Sequence, residues 1–249
     1  MKILIASGVA AILLAAPALA QRETREVPVS EFDRLEAGGN FSLVFDASAS
    51  AALRMEGDPD DMDDIEIDIR RGELEIRQHR GGFRRWFGGY RNLDVTVYVS
   101  GTQVTSFDLS RGVNAGLSSV DGDDLSINVS TGANARFEGV CGHVSVNVST
   151  GADLNARDLE CQSVRINAST GSDATVHAIE SLVANVSTGA DVRSPTDPAH
   201  LRLNTSTGGD VHVNRDRRAR RDGRHQGRDQ RDDDRQDSRH EDRDILKDG

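Results

Sequence analysis

The chain has 249 residues and a formal net charge of −11, from 41 acidic against 30 basic residues. Aromatic residues make up 4% and there are two cysteines. The acidic balance argues against a protein that neutralises nucleic-acid phosphates. Two cysteines cannot build a four-cysteine zinc site or a disulfide-dense scaffold.

The first element in chain order is a leader. Lys2 is followed by an apolar run from Ile3 to Ala16 and by Ala18-Leu19-Ala20, a small-residue cleavage pattern. Residues 1–20 read as a signal peptide, with Gln21 as the new N-terminus. The run is short of the ~20 apolar residues that span a bilayer, and no Cys follows the cleavage site to take a lipid anchor. The expected location is the periplasm, the cell envelope or the extracellular space, where disulfides persist. Residues 21–26 form a short lead.

Residues 27–100 read as irregular β structure. "FDRLEAGGNFSLVFDAS" gives two short strands around Gly38-Gly39, "IEIDIRRGELEIRQ" a hairpin turning at Arg71-Gly72, and "LDVTVYV" one more alternating strand. This part is expected to continue a stack and cap its near end. The run Asp58, Asp60, Asp61, Asp63 and Asp64 reads as a solvated turn before Ile65. A calcium loop needs a turning Gly, and Pro59 stiffens this one.

From residue 101 to 213 one phrase recurs: "LSINVSTGAN", "VSVNVSTGAD", "VRINASTGSD", "LVANVSTGAD" and "LRLNTSTGGD". Gly112, Gly132, Gly151, Gly171, Gly189 and Gly208 stand 20, 19, 20, 18 and 19 residues apart. A period near 19 with strand-type alternation marks a solenoid with one coil per repeat. The expected fold is all-β, a parallel β-helix. In Val144-Ser145-Val146-Asn147-Val148 the valines face inward. Ser149-Thr150-Gly151 then turns the corner, with Gly suited to φ > 0. A second strand places Leu154 and Ala156 inside, matching Ala135 and Phe137 before it and Ala174 and Val176 after. Small aliphatics with little aromatic mass are expected to fill the interior. Coils stacked about 4.8 Å apart put equivalent residues in ladders: Asn128, Asn147, Asn167, Asn185 and Asn204 in one, the turn glycines Gly132, Gly151, Gly171, Gly189 and Gly208 in another. The Asn-x-Ser triplets follow from the repeat and read as structural rather than as glycosylation sites.

From about Asn214 the chain is nearly pure Arg, Asp, Gln and His, "RDRRARRDGRHQGRDQRDDDRQDSRHEDRD". Residues 214–249 read as a disordered polyampholyte that guards the far end of the stack. Interleaved Asp cancels the field that nucleic acid would need.

"FDRLEAGGNFSLVF", "EGDPDDMDDIEIDIRRGELEI", "LDVTVYV" and the coils with "STGAD" corners together resemble the head GIN domain family of putative auto-transporter adhesins (DUF2807). A related repeat-adhesin family, DUF4097, has similar phrasing. Ser-Thr-Gly-Ala-Asp stands where the family more often has Ser-Gly-Ala-Ser. The resemblance covers residues 27–213. It implies a right-handed β-helical, secreted or envelope-associated domain, an adhesin-like role, and no catalytic residues.

Cys141 and Cys161 each stand three residues before a strand, in equivalent places of adjacent coils. The stacking distance lies in the Cα range of a disulfide, and a bond is expected. Asn134, Asp153, Asp173, Asp191 and Asp210 form an acidic ladder that could hold a cation, although calcium-binding rolls repeat every nine residues. "HRGGFRRWFGGYRN" gathers Phe83, Arg84, Arg85, Trp86, Phe87 and Tyr90, residue types that carry binding hot spots, and is the best candidate recognition site. Its partner would be an envelope glycan, a lipid headgroup or a surface protein, not nucleic acid. No cofactor or metal is expected, and the sequence does not set the oligomeric state. The expected function is a secreted, non-catalytic envelope or surface binding module. The alternatives are a β-helical polysaccharide-processing enzyme, for which only scattered His143, His177, His200 and His212 are on offer, and a purely structural envelope module. An ice-binding solenoid would need two Thr columns, and the sequence offers one.

Overall fold

The computed structural model describes residues 22–79, 91–102 and 104–214. Its strands are β1 (Glu23–Val27), β2 (Arg34–Gly38), β3 (Ser42–Asp46), β4 (Ala52–Gly57), β5 (Ile65–Arg70), β6 (Glu73–Gln78), β7 (Val95–Ser100) and β8 (Ser106–Ser110). The longer β9 (Asn114–Ser130), β10 (Asn134–Ser149), β11 (Asp153–Ala168) and β12 (Asp173–Val186) follow, then β13 (Asp191–Ser194), β14 (His200–Thr205) and β15 (Asp210–Val213). One short helix, α1 (Pro59–Met62), precedes β5. The signal-peptide residues, the Phe83–Tyr90 segment and the charged tail beyond Asn214 lie outside the described residues.

The long strands turn a corner midway, at register shifts such as that between Phe137 and Gly139. Gly139 has φ 147°, and a Cβ there would meet the Val120 carbonyl at 2.0 Å, so only glycine fits. The first halves of β9–β12 and the second halves therefore belong to two faces of a flattened β-solenoid. One face, here the Asp face, runs β1-β4-β7-β3, the first halves of β9–β12, β13 and β15. The other, the Asn face, runs β5-β6-β2-β8, the second halves of β9–β12, and β14. Neighbours are parallel throughout the coils. Antiparallel pairing is confined to the N-terminal end, at β1/β4, β4/β7 and β5/β6.

The opposite corner is the repeated turn. Gly132, Gly151, Gly171, Gly189 and Gly208 have φ between 65° and 74°. The preceding Thr131, Thr150, Thr170, Thr188 and Thr207 are also left-handed, with φ of 48° to 57°. Two successive positive φ values make a type I′ turn, closed where the Ala133 N–H meets the Ser130 carbonyl at 3.2 Å. A β-branched residue in this region is strained, by about 1–3 kcal/mol. Stacking offsets that cost: the Gly132, Gly151, Gly171 and Gly189 N–H groups donate to the Thr150, Thr170, Thr188 and Thr207 carbonyls of the next coil, at 3.0–3.1 Å.

Inward residues of both faces form one apolar cluster. The interior is not uniformly small, as the repeats alone suggest. Phe45 on the Asp face, Phe107 on the Asn face and Phe137 on the Asp face are fully buried. Their rings meet edge-on across the core at 5.5 and 5.3 Å. Phe45 belongs to the irregular part and Phe107 to the degenerate first repeat, β8, neither of which the recurring phrase describes. Towards the C-terminus Ala174, Ala178, Ala184 and Ala190 take over, so the bulky packing sits at the N-terminal end.

Candidate binding surfaces

The segment that holds Phe83, Arg84, Arg85, Trp86, Phe87 and Tyr90 joins β6 on the Asn face to β7 on the Asp face. Elsewhere that passage is made by a tight turn: Arg111-Gly112 between β8 and β9, Thr131-Gly132 between β9 and β10. Residues 80–90 thus replace a turn at one level of the stack. Both ends of this insertion are fastened. Gln78, 5% exposed, accepts the Asn40 N–H at 2.8 Å and donates to the Arg91 carbonyl at 2.9 Å. The His79 N–H meets the Asp64 carbonyl, and the Leu93 N–H meets the Asn40 carbonyl.

The acidic run completes this clamp and is not a solvated turn. Asp58 caps α1, accepting the Asp60 and Asp61 N–H groups. Asp61 is buried and accepts the Asp94 N–H at 2.7 Å. Arg91 lies 2.6 Å from Asp61 and 3.0 Å from Asp64. These contacts, the Asp64 hydrogen bond first, raise the Arg91 guanidinium above its ordinary value. The carboxylates that could have faced a calcium ion face a guanidinium from the same chain. Spacing alone hid this, because the partner stands 27 residues beyond Asp64.

On the Asn face the amides form the expected ladder. Asn204 donates to Asn185, Asn185 to Asn167 and Asn167 to Asn147, at 2.7, 2.9 and 3.0 Å. Asn128 donates instead to Asp108 of β8 at 3.0 Å, an acceptor that the degenerate first repeat conceals. Beside the amides stand columns of outward hydroxyls, Ser126 against Ser145 and Ser163 against Ser181. A trough of about 570 Å³ runs over them.

On the Asp face, Asn134, Asp153, Asp173, Asp191 and Asp210 are register partners in succession. Arg193 stands 3.6 Å from Asp173 and 3.9 Å from Asp191, and His212 stands 3.4 Å from Asp210. Protein cations therefore meet part of the ladder's charge. Asp191, Asp210 and His212 could offer ligand atoms within 4.8 Å of one another, but an imidazole beside two carboxylates suits a transition metal better than calcium.

Cys141 and Cys161 are register partners in β10 and β11, 4.4 Å apart at Cα, and are joined as a disulfide. Over β3, β4 and β7 a groove of about 910 Å³ is lined by Val27, Val29, Val44, Leu53 and Tyr98, with Arg54 stacked 4.6 Å from the Tyr98 ring centre. The coil repeat does not extend to it. The signal was present in Leu43-Val44-Phe45, three successive apolar residues of which Val44 must face outward, 41% exposed.

A parallel β-solenoid with an irregular antiparallel cap is thus the class of protein. The family described as putative auto-transporter adhesin, head GIN domain, matches residues 31–198, and the chain belongs to that family. Among solved structures, a putative adhesin from Bacteroides fragilis is similar at 14% identity and a TM-score of 0.59, over 78% of this chain and 97% of that one. A protein described as a putative lipid binding protein from Parabacteroides distasonis aligns over the same shares at 14% identity, with a TM-score of 0.41. A putative adhesin from Parabacteroides merdae gives 12% and 0.42, again over 78% and 97%. No curated protein is significantly similar in sequence.

Proposed function

We propose that this chain is an exported, non-catalytic binding module of the cell envelope or surface, adhesin-like in its work. Phe83, Arg84, Arg85, Trp86, Phe87 and Tyr90 are its contact element for an envelope glycan, a lipid headgroup or a surface protein. The observation that carries this reading is the exchanged corner. Where other coils close with a two-residue turn, this level gives the passage to an aromatic- and Arg-rich segment and fastens its ends with Gln78 and with Arg91 on Asp61 and Asp64. Arg and large aromatics are the residue types that dominate binding energy. Membership of an adhesin-described family supports the same class. The outward carboxylates of the Asp face stand in single file, and part of the file is met by Arg193 and His212. That pattern suits a charged wall better than an acid–base pair across a bond.

Trp86 is the only Trp and reports on the segment directly. Its emission is expected to shift on titration with envelope polysaccharide or with phosphatidylglycerol vesicles. Exchanging residues 80–90 for Ser-Thr-Gly should remove binding and leave the circular dichroism of the solenoid intact. Unchanged binding by that variant would remove the segment from the function. Release of reducing ends or unsaturated sugars from a polysaccharide panel would favour the enzyme reading.

A further inference from the structure

The two faces of the coils differ in charge. The Asp face repeats a carboxylate at each of four levels from Asp153 to Asp210. Its Arg136 and Arg193 are both ion-paired, Arg136 at 2.8 Å to Glu138 and 2.5 Å to Asp158. On the Asn face, the outward columns through His143, Ser145 and Asn147 carry no Asp or Glu from β10 to β14; Glu160 and Glu180 stand at the corner beside them, and Asp124 at the β9 level. They do carry Arg165 and Arg202, both exposed and without a carboxylate partner among the described residues.

Arg165 and Arg202 share one column. Val183 is the register partner of both, so their Cα atoms stand two strand spacings apart, about 10 Å. Arg165 lines the trough, together with Ser126, Ser145, Ser163 and Ser181. His143 also lines it, 3.8 Å from Asp124 at its N-terminal side. The amide ladder beside it spends one Nδ2 hydrogen per step and leaves the second facing outward.

We propose that the Asn face from β9 to β14 is a binding surface for an anionic polysaccharide. Arg165 and Arg202 meet acid groups spaced along the glycan, and the serine columns and the outer amide hydrogens meet its hydroxyls. Guanidinium–acid contacts are the strong charge-assisted kind. The occupant follows from what the surface has and lacks. It has hydroxyls and amides in rows along the stack and, on an acidic protein, two cations that meet no carboxylate among the described residues. Among the described residues it has no aromatic ring on which a base could stack and no apolar stripe that could enter a bilayer. This surface does not depend on the Phe83–Tyr90 segment.

The test uses the full mature chain, with polygalacturonate as the anionic probe, dextran as the neutral one and phosphatidylglycerol vesicles as a third arm. Isothermal titration at low salt should show binding to polygalacturonate that weakens with salt, and little to dextran. The double change Arg165→Glu, Arg202→Glu should weaken it by about tenfold or more. The gentler Arg165→Gln, Arg202→Gln should weaken it in the same direction. Arg136→Glu on the opposite face should leave it unchanged. The proposal is overturned by absence of polygalacturonate binding, by equal loss in Arg136→Glu, or by binding to vesicles alone. It is also overturned if binding is lost only when residues 80–90 are exchanged, which would leave that segment as the site.

Discussion

The two ends of the solenoid solve the same problem differently. At the N-terminal end β1, β4 and β5 run antiparallel to their neighbours, the aromatic rings meet across the core, and α1 ties Arg91 and Asp94 to the cap. At the C-terminal end β14 and β15 are the last paired strands among the described residues. Their inward Leu201, Leu203, Val211 and Val213 are only half-buried, although they occupy the positions that hold fully buried residues one coil earlier. Inward apolar character is therefore not what makes a core residue; a neighbouring coil on both sides is. The regular end is the less protected one, because perfect repetition always leaves a pairing edge.

That contrast can be tested by substitution, with urea midpoints as the common measure. Phe107→Ala at the capped end should cost about 3–5 kcal/mol, and Leu203→Ala at the open end about 1 kcal/mol or less. Equal costs would break the comparison. Replacing both Cys141 and Cys161 by Ala should cost about 3 kcal/mol for a 20-residue separation, and a thiol assay on denatured protein should find none free. Asp61→Ala should cost about 2 kcal/mol, since the Asp94 N–H and Arg91 both lose their acceptor. Thr188→Asn should instead stabilise by about 1 kcal/mol, because Asn tolerates the left-handed region better. The smallest effect belongs to the ladder. Asn167→Ala removes one donated and one accepted amide bond and should cost about 1 kcal/mol. Asn204→Ala at the open end removes one and should cost about half as much.

What the sequence disclosed follows the same division. Coils repeat, so their turn glycines, amide ladder and inward valines were readable from spacing. The cap does not repeat. The acidic run looked like solvated punctuation because its partner Arg91 is brought to it by the β5–β6 hairpin, not by any period. The rings of Phe45 and Phe107 meet only because β3 and β8 lie on opposite faces. The left-handed threonines were missed for another reason. Gly alone satisfied the expectation of a positive φ, and nothing in the phrase Ser-Thr-Gly says that two residues must share it. The charge difference between the faces was hidden until register separated the columns.

The turn that strains Thr131 through Thr207 has a last consequence, for length. Between Gly132 and Gly189 each floor presents the floor above with the same edge, the same corner and the same amide. A whole unit of about 19 residues could be gained or lost there without disturbing either terminus, and each would change the reach of the molecule by only about 4.8 Å. Stature is thus a slowly varying, almost free parameter in this architecture, adjustable by duplication while whatever is mounted at the capped end stays as it was.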